Sequence, residues 1–169
     1  GKDLNWVKAS IADNTSTNKK MARDMNIPHT GCHSHLFNLD VEDWIKGTTW
    51  LDDMVKAVKG VFVSIKNSLK NAAVLRNITD LRVVTDSKTR WSGKRNMVER
   101  SVRLQDKLLE AQQDEDTDFT LDKSPAFLRN VTKGDKQLRH LDFVTKELQK
   151  RHAPLLDCRE AIEVLHDSI

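Results

Sequence analysis

Residues 51–72 read LDDMVKAVKGVFVSIKNSLKNA, and this stretch decides the fold class. Its apolar side chains recur three and four positions apart, which is the period of one face of an α-helix. The stripe comprises Leu51, Met54, Val55, Val58, Val61, Phe62, Ile65, Leu69 and Ala72. Gly60 costs about 1 kcal/mol relative to Ala inside a helix, which burial of such a stripe can offset. We therefore predict one central helix over residues 50–72.

Shorter stripes with the same period flank the central helix at residues 37–45, 97–109, 138–148 and 155–169. Helix starts are indicated by side chains that can accept a hydrogen bond from the first turn. The candidates are Asp40, Thr49 with Asp52 three residues later, and Ser124 followed by Pro125. The pattern predicts a mainly α fold, a helical bundle.

The N-terminal 35 residues are less regular than the rest of the chain. Residues 4–12 suit either a short strand ending before Asp13 or the start of a helix, and Pro28 interrupts the polar segment that follows. We expect two regions, 1–35 with at most a small strand near the N-terminus and 36–169 with the helices. The two regions can form one compact unit.

Composition excludes several classes of protein. Hydrophobic residues make up 38% and charged residues 31%, which is typical of a globular chain rather than a disordered one. No apolar run approaches the roughly 20 residues needed to span a bilayer, so we expect no membrane association. Two cysteines, Cys32 and Cys158, are too few for a disulfide framework, which favours reduced thiols and an intracellular location. Because the chain begins at Gly1, we expect a processed form, from which a secretion signal could have been removed.

The densest polar cluster is His29-Thr30-Gly31-Cys32-His33-Ser34-His35. Such residues could bind zinc, but structural zinc sites use two separated ligand pairs and no second pair follows. Catalysis by Cys32 with a neighbouring His is disfavoured, because residues this close in sequence rarely supply the required geometry. A buried Cys32 with a locally bonded His35 is the simpler interpretation. We expect no metal and no cofactor.

Basic residues concentrate between Arg82 and Arg103, where Trp91 is the only aromatic residue. Cations interleaved with an aromatic ring suit nucleic acid, because cations contact phosphates and the ring stacks on a base. The alternative is an ordinary charged helix face with Trp91 as a core anchor, which the spacing alone favours. The candidate nucleic-acid-binding residues are Arg90, Trp91, Lys94, Arg95, Arg100 and Arg103.

Taken in order, four segments of the chain resemble the middle of a hAT-family DNA transposase. They are residues 11–18 with Asp13-Asn14, residues 27–39 with Cys-x-x-His-x-x-Asn-Leu, the Thr-Arg-Trp-Ser element at 89–92 followed by Met97 and Arg100, and residues 155–159. The resemblance spans most of the chain.

The resemblance implies specific roles for a few residues. Asp13 matches the second of three metal-binding carboxylates in an RNase H-like core, and residues 1–35 would be a remnant of that core. Cys32 and His35 match a structural motif on the active-site side. Trp91 matches a residue that assists DNA hairpin handling within an all-helical insertion domain, which residues 36–169 would form.

One matching carboxylate cannot hold two metal ions, because two-metal catalysis needs several carboxylates that converge on the ions. We therefore expect no enzymatic activity, and a catalytically inert, transposase-derived domain that binds DNA or a nuclear protein in the nucleus. The alternatives are an excerpt of an active hAT transposase and a protein-interaction module, such as a secreted pathogen effector acting in a host cell. Self-association into a homo-oligomer could cover an apolar helix face left by a missing sheet.

Overall fold

Helices account for most of the computed structural model, which describes residues 6–86 and 91–149. In chain order the elements are β1 (Ser10–Ala12), α1 (Ser16–Asp24), β2 (His29–Gly31), α2 (His33–Gly47), α3 (Thr49–Asn67), α4 (Leu69–Ile78), α5 (Ser92–Ala111) and α6 (Pro125–Leu148). The predicted mainly α bundle with a small N-terminal strand element is confirmed. The apolar stripe predicted at 155–169, with Cys158, lies outside the described residues.

The N-terminal segment forms a β-α-β unit. β1 pairs with β2 in parallel, with Ser10 opposite His29 and Ala12 opposite Gly31, and α1 makes the crossover that parallel strands require. Ala22 of α1 is buried. Of the two alternatives for residues 4–12, a strand or the start of a helix, the described part contains the strand. β2 was not predicted, because three residues of mixed polarity carry no alternating pattern.

The apolar face of α3 is the centre of the bundle. Its seven stripe residues from Leu51 to Ile65 are each at most 6% exposed. They share one core with residues of α2, α4, α5 and α6. Gly134 of α6 lies so close to α3 that an added Cβ would stand 2.5 Å from Cε of Met54. A side chain at position 134 would therefore have to displace the tip of the Met54 side chain.

The single helix predicted over residues 50–72 is wrong at its C-terminal end. Ser68 adopts an extended conformation, with φ −108° and ψ 120°, and its Oγ accepts a hydrogen bond from the backbone N–H of Asn71. Ser68 thus starts α4, and Leu69 is 86% exposed instead of continuing the stripe. A capping serine offers the backbone an alternative to continued helix, which apolar periodicity does not register.

Of the three predicted helix starts, one is confirmed and two are wrong. Ser124 is confirmed, because its Oγ accepts from the N–H of Phe127 and Pro125 is the first helical residue. Asp40 is not a cap, since α2 begins seven residues earlier at His33, directly after β2. The cap of α3 is Thr48 rather than Thr49, without a side-chain capping bond. In both cases the preceding element fixes where the helix begins, because a single residue separates β2 from α2 and α2 from α3.

Across residues 6–86 and 91–149, no helix combines the length and the apolar character that crossing a bilayer requires.

Replacing Phe62 by Ala should lower the free energy of unfolding by about 3–5 kcal/mol, because the ring is fully buried at the centre of the core. Val63→Ala is the matched control on the same helix: Val63 is 36% exposed, and its truncation should change stability by less than about 0.5 kcal/mol. Urea denaturation followed by circular dichroism measures both. A destabilisation under about 1 kcal/mol for Phe62→Ala would show that α3 is peripheral.

Candidate functional site

A cleft of about 570 Å³ lies at the carboxyl ends of β1 and β2. Its walls are the first turns of α2 and α5 and the last turns of α6. Residues from four separate sequence segments meet there, among them Asp13, Cys32, His35, Asn38, Trp91 and Asp142. The carboxyl edge of parallel strands is where open α/β sheets bind ligands. The fold therefore gathers the main motif residues around one concavity.

Asp13 is held at this edge by the turn that follows it. Its carboxylate accepts hydrogen bonds from the Oγ1 of Thr15 and the Nδ2 of Asn18. Asn14 packs against Gly31, where an added Cβ would stand 2.6 Å from the amide nitrogen, so Gly31 is required for this contact. In the described part of the chain, no group of three His, Cys, Asp or Glu side chains is placed to hold a metal ion.

The His29–His35 cluster is divided between two elements. His29 lies in β2, with its Nδ1 3.4 Å from the Oγ of Ser10. Cys32 is a half-buried free thiol at the position before α2, and His33 is the first residue of that helix. Of the cluster, Cys32, Ser34 and His35 line the cleft.

Trp91 is a core residue. Its side chain is 0% exposed, and its backbone N–H donates to the Oδ1 of Asn38 at 3.3 Å. Of the two interpretations of this residue, the structure shows the core anchor. A fully buried indole is not available to stack on a base, so the assignment of Trp91 to nucleic-acid binding is corrected. The physical reason is the large apolar area of the ring, which the start of α5 turns inward.

Most other candidate cations of this segment are occupied by contacts within the protein. Lys94 pairs with Glu42 at 2.5 Å, and both side chains are largely buried. Arg95 pairs with Glu99 at 3.0 Å, and its Nε lies 3.8 Å from Asp142.

The rest of the candidate set is dispersed. The guanidinium of Arg100 donates to the backbone carbonyl of Arg82, while Arg103 is exposed. Arg90 lies outside the described residues. These cations therefore do not form a continuous surface for phosphates, because Lys94 and Arg95 are neutralised by acidic partners.

The exposed face of α6 carries a basic surface that the sequence analysis did not identify. We call Arg129, Lys133, Lys136, His140 and Phe143 the α6 stripe, since they follow one another at helical spacing and are all exposed. Lys133 lies over the ring of Trp50, with its Nζ 4.5 Å from the ring centroid. Applying the helical period to cations, as was done for apolar residues, would have found the stripe.

The acidic residues of α6 lie away from most of this face. Asp135 and Asp142 are only 5% and 9% exposed. They bind cations of their own helix, Asp135 with Arg139 and Asp142 with Lys146. Glu147, at the C-terminal end of α6, is half-buried. The N-terminal two thirds of the stripe thus presents positive charge to solvent without an exposed carboxylate on α6 beside it.

Comparison of the chain with family models, with curated proteins and with solved structures finds no match.

Trp91→Ala should lower the free energy of unfolding by about 3–5 kcal/mol, because removing a buried indole leaves a large cavity. Trp6→Ala is the matched control: Trp6 is 82% exposed, and its removal should change stability by less than about 0.5 kcal/mol. Urea titrations of the two variants give the comparison. If Trp91→Ala were as stable as the wild type, Trp91 would not be a core residue, and base stacking by its ring would again be the better interpretation.

Proposed function

We propose that this chain is a non-catalytic, transposase-derived domain that binds nucleic acid in the nucleus through the exposed face of α6. The observation that carries the proposal is the α6 stripe. Arg129, Lys133 and Lys136 have no carboxylate within ion-pairing distance in the described ranges 6–86 and 91–149. Three cations without acidic partners along one face of a helix suit a polyanion.

The dimensions of the stripe support this choice of ligand. Arg129 and Phe143 are fourteen residues apart, which corresponds to about 21 Å along the helix axis. Duplex DNA carries one negative charge per roughly 1.7 Å, so a helix of this length can reach several phosphates. Contacts of this kind read charge rather than base sequence. We therefore expect weak, salt-sensitive and sequence-tolerant binding.

The proposal that the chain is non-catalytic is based on the carboxylates that line the cleft. Asp142 is the other carboxylate lining it besides Asp13 among the described residues. That side chain is engaged by Lys146 at 2.8 Å and lies 3.8 Å from Nε of Arg95. A two-metal site needs carboxylates that converge, free of such partners, on ions about 4 Å apart. The arrangement of this cleft supports a binding role instead.

A second candidate function is binding of a nuclear or host protein, or of a second copy of the chain. Leu36 and Leu39 are 39% and 46% exposed, three residues apart on the outer face of α2, and Ile11 of β1 is 76% exposed. Exposed apolar side chains of this kind are typical of protein-interaction surfaces when they form a contiguous patch. We rank this candidate second because two neighbouring leucines are a small surface.

Removing three charges from the stripe, in Arg129→Gln/Lys133→Gln/Lys136→Gln, should weaken binding of a fluorescent 20-base-pair duplex. The slope of log K against log salt should fall by about 0.9 for each phosphate that the variant no longer neutralises. Anisotropy titrations between about 50 and 200 mM salt measure the slope.

Lys19→Gln/Lys20→Gln/Arg23→Gln is the matched control, because it removes the same charge from exposed positions of α1. It should leave most of the affinity. If the two triple variants are weakened equally, the α6 stripe is not the site. If the wild type does not bind at about 50 mM salt, nucleic acid is the wrong ligand class and the protein-interaction function takes its place.

Added Mg²⁺ or Mn²⁺ should not lead to nicking of supercoiled DNA by this chain, because Asp13 lacks a free carboxylate partner in the described structure. Gel analysis of supercoiled plasmid after incubation with each metal is the measurement. Nicking that Asp13→Ala abolishes would overturn the non-catalytic proposal.

A further inference from the structure

We infer that the preferred ligand of the α6 stripe is single-stranded nucleic acid, and that Phe143 is the side chain on which a base stacks. The inference rests on the proposed function. It narrows the proposed ligand from nucleic acid in general to single strands. It assigns to Phe143 the stacking role that the buried Trp91 cannot perform.

Phe143 stands out among the aromatic residues of the described chain. Its side chain is 63% exposed, whereas the other aromatic rings on helices are buried or partly buried against the core. Nine residues separate Phe143 from Gly134, the point of closest approach to α3. At 100° per residue this spacing places Phe143 on the opposite side of the helix from Gly134. Its exposure therefore follows from the way α6 packs.

No apolar side chain lies one turn before or after Phe143 on its face of α6. Of the charged residues there, Arg139 and Lys146 are paired with Asp135 and Asp142. Helical geometry places Lys136 within about 20° of Phe143 around the axis, and Arg139 within about 40°. Lys136 and Arg139 lie about 10 Å and 6 Å before Phe143 along the axis, and Lys146 lies about 4.5 Å after it. The cations without an acidic partner among the described residues, Lys136, Lys133 and Arg129, all lie on the N-terminal side of the ring. A strand with one base on Phe143 would therefore run its phosphates along α6 towards Arg129. Glu147, which is also near this end of the face, is half-buried.

A lone aromatic ring among cations fits a single strand better than the other ligands of the same charge. The faces of bases in a duplex are covered by their neighbours in the stack, whereas an unpaired strand can place a base on an aromatic ring. An acidic protein segment would satisfy the cations but would leave the ring without a matching flat surface. A hydrophobic protein partner would need a larger apolar patch than one ring.

The test uses the full chain and two probes of equal length, an oligothymidine 20-mer and a 20-base-pair duplex. We expect the wild type to bind the single strand more tightly at the same salt concentration. Phe143→Ala should weaken single-strand binding by about 5- to 150-fold, the range for removal of one base–aromatic stack. Duplex affinity and the salt dependence of binding should stay unchanged, because no cation is removed.

Conservative variants separate stacking from simple apolar contact. Phe143→Trp should retain single-strand affinity, whereas Phe143→Leu should reduce it as Phe143→Ala does, because leucine is apolar without a flat face. Leu69→Ala is the control for removal of an exposed apolar side chain elsewhere, because Leu69 is 86% exposed on α4, and it should bind like the wild type. The contrast between the Trp and Leu variants remains decisive even if the Ala variant folds poorly.

The outcomes distinguish this inference from the function on which it rests. Absence of binding to either probe overturns the proposed function itself. Charge-dependent binding that Phe143→Ala leaves intact, or a preference for the duplex, overturns the inference and leaves the proposed function standing. Tighter binding of polyglutamate than of either oligonucleotide at equal salt would reassign the stripe to an acidic protein partner and overturn both.

Discussion

Burial of the apolar face of α3 is the interaction on which the rest of the structure depends. Its seven buried side chains share a core with every other helix of the bundle from α2 to α6. α6 approaches so closely that a Cβ at position 134 would stand 2.5 Å from Cε of Met54. This contact also sets the rotation of α6 about its own axis. The α6 stripe and Phe143 therefore face solvent because Gly134 faces α3.

The packing of the helices decides which charged side chains are paired and which face solvent. For binding, this distribution matters more than the net charge of +3. On α5, Lys94 and Arg95 reach acidic residues of α2 and α6, so these cations tie helices together. Such partly buried pairs give up hydration on folding, and their contribution is to positioning more than to stability. On α6 the carboxylates of Asp135 and Asp142 are buried while the cations stay outside. On two helices of similar composition, cations of α5 thus pair with other helices, whereas Arg129, Lys133 and Lys136 of α6 face solvent without an acidic partner among the described residues.

The cleft at the strand ends brings Asp13, Cys32, His35 and Trp91 together from positions that are far apart in the chain. These are the residues on which the resemblance to hAT transposases depends. Asp13 is held there by Thr15 and Asn18, while Asp142 is neutralised by its own neighbours. The two carboxylates that line the cleft in the described structure thus differ in their surroundings: Asp13 accepts hydrogen bonds from neutral side chains, and Asp142 is paired with Lys146.

The sequence by itself determined the features that depend on neighbours within a few positions. The stripe of α3 from Leu51 to Ile65 and the start of α6 at Ser124-Pro125 were predictable, because helical period and capping are local. Only the tertiary structure decided the break at Ser68, where the buried Asn71 also bonds to Ser64 and to Asp118 of a distant loop.

The same holds for the candidate site. Lys94 looks like a free cation in the sequence, and it is neutralised by Glu42, which is 52 positions away. For Trp91 the spacing favoured a core position over a surface position without excluding the latter, and the packing of α5 places the ring inside. Whether a cation is paired and whether an aromatic ring is buried depend on side chains from distant parts of the sequence. A local sequence pattern carries no information about those side chains.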